Sequence, residues 1–145
     1  MKVVIQRVTE AKVLVKEELI SEIGHGMVIL LGVKKGDTEK HARALADRCI
    51  HMRIFEDQKG RFNLSLKDIK GEALVVSQFT LLADTSRGRR PSFTDAEEPA
   101  KAKQLYEFFI SRLNQLGIPT QGGIFAERMK VSLENNGPVT IVTEV

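Results

Sequence analysis

The chain has no tryptophan, one cysteine, one tyrosine, three histidines and four prolines among its 145 residues. A single thiol cannot form an intrachain disulfide, and Cys49 agrees with a reducing compartment. His41 and His51 stand ten residues apart with no Cys, His or carboxylate at ligand spacing, so no metal is expected. His25 lies between two glycines and reads as an exposed turn residue. Neither a Ser-His-Asp set nor a credible Cys-His pair is present, so the chain offers no obvious strong nucleophile. No apolar stretch approaches the roughly 18 residues of a membrane span. Met1-Lys2-Val3-Val4-Ile5-Gln6-Arg7 is too short and too soon polar for a signal peptide. The expected address is the cytoplasm, without a membrane partner. Repeats, linkers and low-complexity segments are also missing, which leaves residues 1–145 as one expected domain.

What is present is an ordinary globular composition, 42% hydrophobic and 28% charged, long enough to bury a core without cross-links. The net charge of +3 permits an anionic partner but does not require one. Residues 2–8 read as a strand, and 12–15 with 19–23 as a hairpin turning at Lys16-Glu17-Glu18. The unbroken apolar run from Met27 to Val33 marks a central strand buried on both faces. Asp37 is the expected N-cap of a helix whose Ala42, Leu45, Ala46, Cys49 and Ile50 recur at helical spacing. Cys49 falls on that stripe and reads as a packed thiol. Extended segments follow at 53–56 and 62–66, separated by the turn Asp57-Gln58-Lys59-Gly60.

A second helix begins after Thr94-Asp95, with Pro99 in its first turn and an apolar stripe of Ala102, Leu105, Tyr106, Phe109, Leu113 and Leu116. Gly117 and Pro119 close it. Strands are expected at 118–125, 129–133 and 139–145, with Glu134-Asn135-Asn136-Gly137-Pro138 as a turn between the last two. About nine strands and two inserted helices predict a single α/β domain, a mixed sheet curled toward a barrel in three layers, α/β/β.

Two stretches invite chemistry. Ser77-Gln78-Phe79-Thr80-Leu81 puts three hydrogen-bonding side chains into the end of the apolar run Ala73-Leu74-Val75-Val76. If the strand stays regular to Leu81, Gln78 and Thr80 share a face and can orient a polar ligand. Local bonds from Ser77 and Thr80 to the backbone are the alternative. In the irregular stretch 83–94, Arg87, Arg89 and Arg90 surround Gly88 and make either a phosphate clamp or a solvated, acid-paired loop.

The residues alone name no reaction, but the chain resembles the D-aminoacyl-tRNA deacylases along nearly its whole length. Val4-Ile5-Gln6-Arg7-Val8, Arg53-Ile54-Phe55-Glu56-Asp57 and Gly88-Arg89-Arg90-Pro91-Ser92-Phe93 match. So do the family's signature pair, Ser-Gln-x-x-Leu at 77–81 and Asn-x-Gly-Pro-x-Thr at 135–140. The resemblance implies a homodimer, acting without a cofactor, that hydrolyses the ester joining a D-amino acid or glycine to the acceptor end of tRNA and spares L-aminoacyl-tRNA. No DNA partner is expected. The resemblance implies a cis Gly137-Pro138 bond and a dipeptide that enters the partner subunit's site, where its carbonyls exclude an L side chain. It further implies a catalytic set of Ser77, Gln78, Phe79 and Thr80, pocket-lining roles for Phe125, Met129 and Ala102, and a substrate-assisted route through the terminal 2′-hydroxyl. Two departures accompany it: Asn136 stands where aspartate is common, and Ile124-Phe125-Ala126-Glu127-Arg128 replaces a more usual Arg-Phe-Gly-Ala-Asp. The competing readings are a Thr80-nucleophile esterase of small D-amino esters and a non-catalytic RNA-binding module using the arginine loop.

Overall fold

A computed structural model describes residues 1–145. Its spine is β1 (Lys2–Val15), which the local pattern divides into two strands but which runs unbroken. Strand β2 (Glu18–Ile23) and strand β3 (Gly26–Gly32) both pair with it antiparallel, β2 along its second half and β3 along its first. The hairpin between β1 and β2 needs only Lys16 and Glu17, whose φ angles of 48° and 65° give the left-handed two-residue turn that suits strand twist. Strand β6 (Glu72–Ser77) adds parallel to β3, and the short β7 (Thr120–Gly122) adds parallel to β6. Strands β4 (Phe55–Glu56) and β5 (Phe62–Leu64) form a small separate ladder.

The expected turn at 134–138 is not a chain reversal. Strand β8 runs from Lys130–Glu144 along the free side of β1. Gln6 faces Thr140 and Val8 faces Asn135, so residues 136–139 answer to Arg7 alone and leave the ladder as a wide bulge. The Asn-Asn-Gly-Pro chemistry makes a bulge rather than the expected turn because both flanks find the same partner strand.

Each face of the curled sheet has its own core. Val3, Ile5, Met27, Ile29, Ala73 and Val75 pack under the two helices. On the other face Val8, Ala11, Val13, Ile23, Val28, Leu74 and Val76 meet, which requires the β1–β2 half of the sheet to fold over the β3–β6 half. The bulges of β1 against β8 at Val8–Glu10 change the inward phase from Ile5 to Ala11. Gln121 ties the curl shut by donating through Nε2 to the Glu22 carbonyl at 2.5 Å and accepting the Glu22 amide at 3.2 Å. The three-layer α/β/β architecture expected from the sequence is thus observed.

Helix α1 (Glu39–His51) buries Ala42, Leu45, Ala46, Cys49 and Ile50 as its stripe predicts. Its N-cap is Thr38 rather than Asp37. Asp37 is drawn away because its carboxylate accepts the Met1 ammonium at 2.7 Å and the Lys34 amide at 2.6 Å. Helix α2 (Pro99–Gln115) buries Leu105, Tyr106, Phe109 and Leu113, and Arg112 clasps Asp47 of α1 with bonds of 3.0 and 3.1 Å. The thiol of Cys49 is buried, and desolvation pushes its pKa up to about 12, so it is inert as a nucleophile at neutral pH.

Candidate active site

Strand β6 ends at Ser77, earlier than the regular strand through Leu81 that the sequence invites, and Phe79–Leu82 turns as a 3-10 segment. Gly32 makes room for this turn: a Cβ there would come within 3.1 Å of the Gln78 carbonyl and 3.3 Å of Leu81 Cβ. Gln78 is still anchored to β3 by its amide, which donates to the Leu31 carbonyl at 2.8 Å. Its side-chain Nε2 donates to Thr80 Oγ1. The amides of Phe79 and Thr80 stand at the start of the turn, where no intrahelical acceptor exists.

A cavity of about 520 Å³ opens beside this turn. Ser77, Gln78 and Phe79 form one wall, Ala102 and Pro99 of α2 a second, and Phe125 and Met129 a third. The structure therefore brings six of the sequence-predicted residues, Ser77, Gln78, Phe79, Ala102, Phe125 and Met129, to one hollow from three separate parts of the chain. Thr80 is exposed at its edge and does not line it. Phe79 is 55% exposed and meets the edge of Phe93 at 5.1 Å, which couples the 3-10 turn to the arginine loop. That loop is pinched by reciprocal backbone bonds between Asp84 and Ser92 of 2.8 and 3.0 Å, with Arg87, Arg89 and Arg90 exposed and outside the cavity.

Gly137 and Pro138 are also outside it. Their peptide bond is cis, Gly137 has φ of 142°, and both residues are exposed on the bulge of β8. Asn136 and Gly137 instead border a different hollow with Arg7, His25, Phe55, Glu56 and Ile69.

Local reading of the sequence overlooked two organising side chains. Arg7, only 5% exposed, donates through Nε to the Asn136 carbonyl and through Nη1 to the Ile54 carbonyl, each at 2.8 Å. Its guanidinium also lies 5.3 Å over the ring of Phe62. The available signal was phase, since Val3, Ile5 and Arg7 alternate inward and the third is a cation. Tyr106, the lone tyrosine, projects from α2 into the core and donates to the carbonyls of Val75 at 2.9 Å and Gly123 at 3.2 Å. It thereby fixes the path of the chain before Phe125, whose ring lies 6.0 Å away. Burial pushes the Tyr106 phenol up to about 12. Glu97 borders the cavity as well, and hydrogen bonds from Lys101 and from the Glu98 amide hold its carboxyl below the usual range.

Residues 4–144 match the family model described as D-Tyr-tRNA(Tyr) deacylase. The chain belongs to that family. Curated relatives agree: a protein of Geotalea uraniireducens (strain Rf4) named D-aminoacyl-tRNA deacylase is 55% identical over 99% of this chain and 93% of its own. One of Aquifex aeolicus (strain VF5) with the same name is 49% identical over 99% of this chain and 97% of its own. Among solved structures, one named c-Myc DNA Unwinding Element Binding Protein superposes with a TM-score of 0.95 at 38% identity, covering 100% of this chain and 99% of that one. A probable eukaryotic D-amino acid tRNA deacylase shares the fold, with a TM-score of 0.84 at 18% identity over 99% and 98% of the two chains. Ala126, one of the departures noted in the sequence, holds a left-handed backbone at φ of 64° on the cavity wall.

Proposed function

We propose that this protein hydrolyses the ester bond of D-aminoacyl-tRNA, releasing the D-amino acid and tRNA, and that it rejects L-aminoacyl-tRNA. Membership in the deacylase family supports the reaction class. The observation that carries the site assignment is the gathering of Ser77, Gln78, Phe79, Ala102, Phe125 and Met129 around one cavity. In this reading the terminal adenosine and its ester enter that cavity, Gln78 orients them, and the amides of Phe79 and Thr80 meet the negative charge that develops on the ester oxygen. Attack is assisted by the 2′-hydroxyl of the terminal ribose, because the hydrogen-bond partner of the Thr80 hydroxyl is the Gln78 carboxamide, which is not a base. Glycine esters are also accepted, since they present no side chain to exclude. The cell's translation apparatus in the cytoplasm is the setting in which such a substrate arises.

Gly137 and Pro138 act in the cavity of a second copy of the chain. Two features favour this: the dipeptide is exposed and lies outside its own subunit's cavity, and the outer edge of β8 has no pairing partner while exposing Val131 and Val142. A two-fold contact along β8 gives each subunit's wedge to the other. Side-chain rejection by a fixed backbone then works by exclusion, so an L side chain meets carbonyl oxygens where a D substrate presents hydrogen. The arginine loop meets phosphates of the acceptor end.

Deacylation of matched D- and L-aminoacyl-tRNA, alongside the corresponding simple D-amino ester and filter binding of uncharged tRNA, tests this directly. Hydrolysis restricted to the D-aminoacyl-tRNA is expected. Equal hydrolysis of the simple ester points to a small-ester esterase, and tRNA binding without hydrolysis points to an RNA-binding module.

A further inference from the structure

The loop after β3 is sewn to the segment that borders the cavity. The Lys35 amide donates to the Asp95 carbonyl at 2.9 Å, the Glu97 amide to the Val33 carbonyl at 3.0 Å, and the Gly36 amide to Glu97 Oε2 at 3.2 Å. Val33, Ala96 and Glu97 all line the cavity, so Lys34 and Lys35 stand on its rim. Their charges are not equivalent. Lys34 Nζ lies 3.8 Å from the Asp95 carboxylate, while Lys35 is exposed and has no ion-pair partner. Glu97 is likewise matched by Lys101 at 2.7 Å.

Three peptide steps separate Ser92, the closed end of the arginine loop, from Asp95, so the base of that loop is at most about 11 Å along the backbone from the residue that holds Lys35. Arg87, Arg89 and Arg90 are exposed and make no ion pair either. The rim segment therefore carries four unmatched cations, against which Asp84 and Glu98 are the acids without a cation partner. That excess lies beside a hollow walled by Glu97 and Glu127 and by no cation. A ligand bearing an ammonium at its tip and phosphates behind it matches this polarity, the tip inside and the phosphates along the rim.

We infer that Lys35 is a second phosphate anchor, on the β3 side of the cavity, and that the 3′ strand of the substrate RNA runs from the arginine loop across the rim to Lys35. This rests on the deacylase reading above. Lys34 contributes less because Asp95 already offsets it.

The test compares the intact protein with Lys35→Ala, Lys35→Glu, Lys34→Ala and the triple Arg87→Ala/Arg89→Ala/Arg90→Ala variant. Binding of uncharged tRNA is measured between 50 and 200 mM salt, and hydrolysis of a D-aminoacyl-tRNA is compared with that of the same D-aminoacyl-adenosine. Losing one phosphate contact lowers the log-log salt slope by about 0.7–0.9, which over a fourfold salt range makes the intact protein's loss of affinity about threefold steeper than the variant's. Lys35→Ala should show that change, Lys35→Glu a larger one, and Lys34→Ala less than Lys35→Ala. The preference for tRNA over adenosine ester should fall with Lys35→Ala by a similar factor. An unchanged slope in Lys35→Glu, with the triple variant flattened, confines the RNA to the arginine side and overturns the inference while leaving the function intact. Failure of the unmodified protein to hydrolyse D-aminoacyl-tRNA, with a Lys35-dependent slope, would instead remove the reaction and keep the RNA track.

Discussion

Gln78 donates through Nε2 to the hydroxyl of Thr80, and no imidazole, amine or carboxylate bonds to that oxygen. The lone pair of a carboxamide nitrogen is delocalised into its carbonyl and cannot take the hydroxyl proton, so the pair orients Thr80 without activating it. Thr80→Ala is therefore expected to retain hydrolysis within about tenfold, the scale of one lost hydrogen bond, where removal of a true nucleophile costs on the order of a millionfold. Single-turnover assays that find near-background activity, together with a trapped acyl-enzyme, would establish Thr80 as the nucleophile. A substrate ending in 2′-deoxyadenosine is expected to be inert, and its normal turnover would argue equally against assistance by the ribose.

Gly137 cannot take a side chain without disturbance. A Cβ there would come within 2.8 Å of Val139 Cγ2 and 2.9 Å of the Val139 amide, at a φ that L residues rarely adopt. Gly137→Ala is expected to remove most D-aminoacyl-tRNA hydrolysis at a stability loss of about 1–3 kcal/mol. Mixed dimers pairing this chain with one that is inactive through Gln78→Ala should regain one working site. Absence of recovery in verified mixed dimers places the wedge in its own subunit.

Arg7 holds the same bulge from below. Arg7→Leu orphans the carbonyls of Asn136 and Ile54 and is expected to destabilise the fold by about 2–4 kcal/mol in urea titration. Arg7→Lys keeps the charge but cannot span both acceptors. It should lower discrimination between D and L substrates more than it lowers stability, and a variant that loses stability with discrimination intact would make Arg7 purely structural.

Ala126→Gly is expected to stabilise the protein by about 0.5–1 kcal/mol. A left-handed alanine costs about 1–2 kcal/mol, and glycine's larger unfolded-state entropy returns part of the gain. A lower urea midpoint in the variant would mean that the methyl group packs usefully at the cavity wall.

Cys49 and Tyr106 make the fold sensitive to alkali. Folding raises the Cys49 pKa from 9.0 and that of Tyr106 from 10.0, each to about 12. The native state therefore binds more protons than the unfolded state across this range, so the stability is complete below about pH 9 and is lost as pH rises toward 12. Cys49→Ala removes one of these linkages, and urea midpoints at several pH values should show a shallower alkaline decline in that variant than in the parent protein. An identical decline would assign the effect elsewhere.

Helical periodicity was the most legible feature: every predicted apolar position of α1 is buried, as are Leu105, Tyr106, Phe109 and Leu113 of α2. The unbroken run of β3 was equally readable. Strand extent was not, because Thr9, Glu10 and the 136–139 bulge look locally like chain ends, and only pairing with a distant strand keeps them in the sheet. The same limit overstated the strand at 118–125, of which only Thr120–Gly122 finds a partner. Six of the expected site residues line one cavity, three of them from the recognisable Ser-Gln-x-x-Leu motif and three from the wider resemblance. Arg7 and Tyr106 act through backbone carbonyls, a kind of contact that leaves no motif.

The bulge of β8 has a consequence for how this molecule can change. The ladder with β1 is complete on both sides of residues 136–139, so those residues bear almost none of the sheet's pairing. Changes there, within the limits set by Gly137 and by the Arg7 bond to Asn136, leave the register of the sheet to the flanking pairs. On the proposed reading, the wedge that excludes L side chains and the ladder that holds the sheet together lie on separate stretches of one strand.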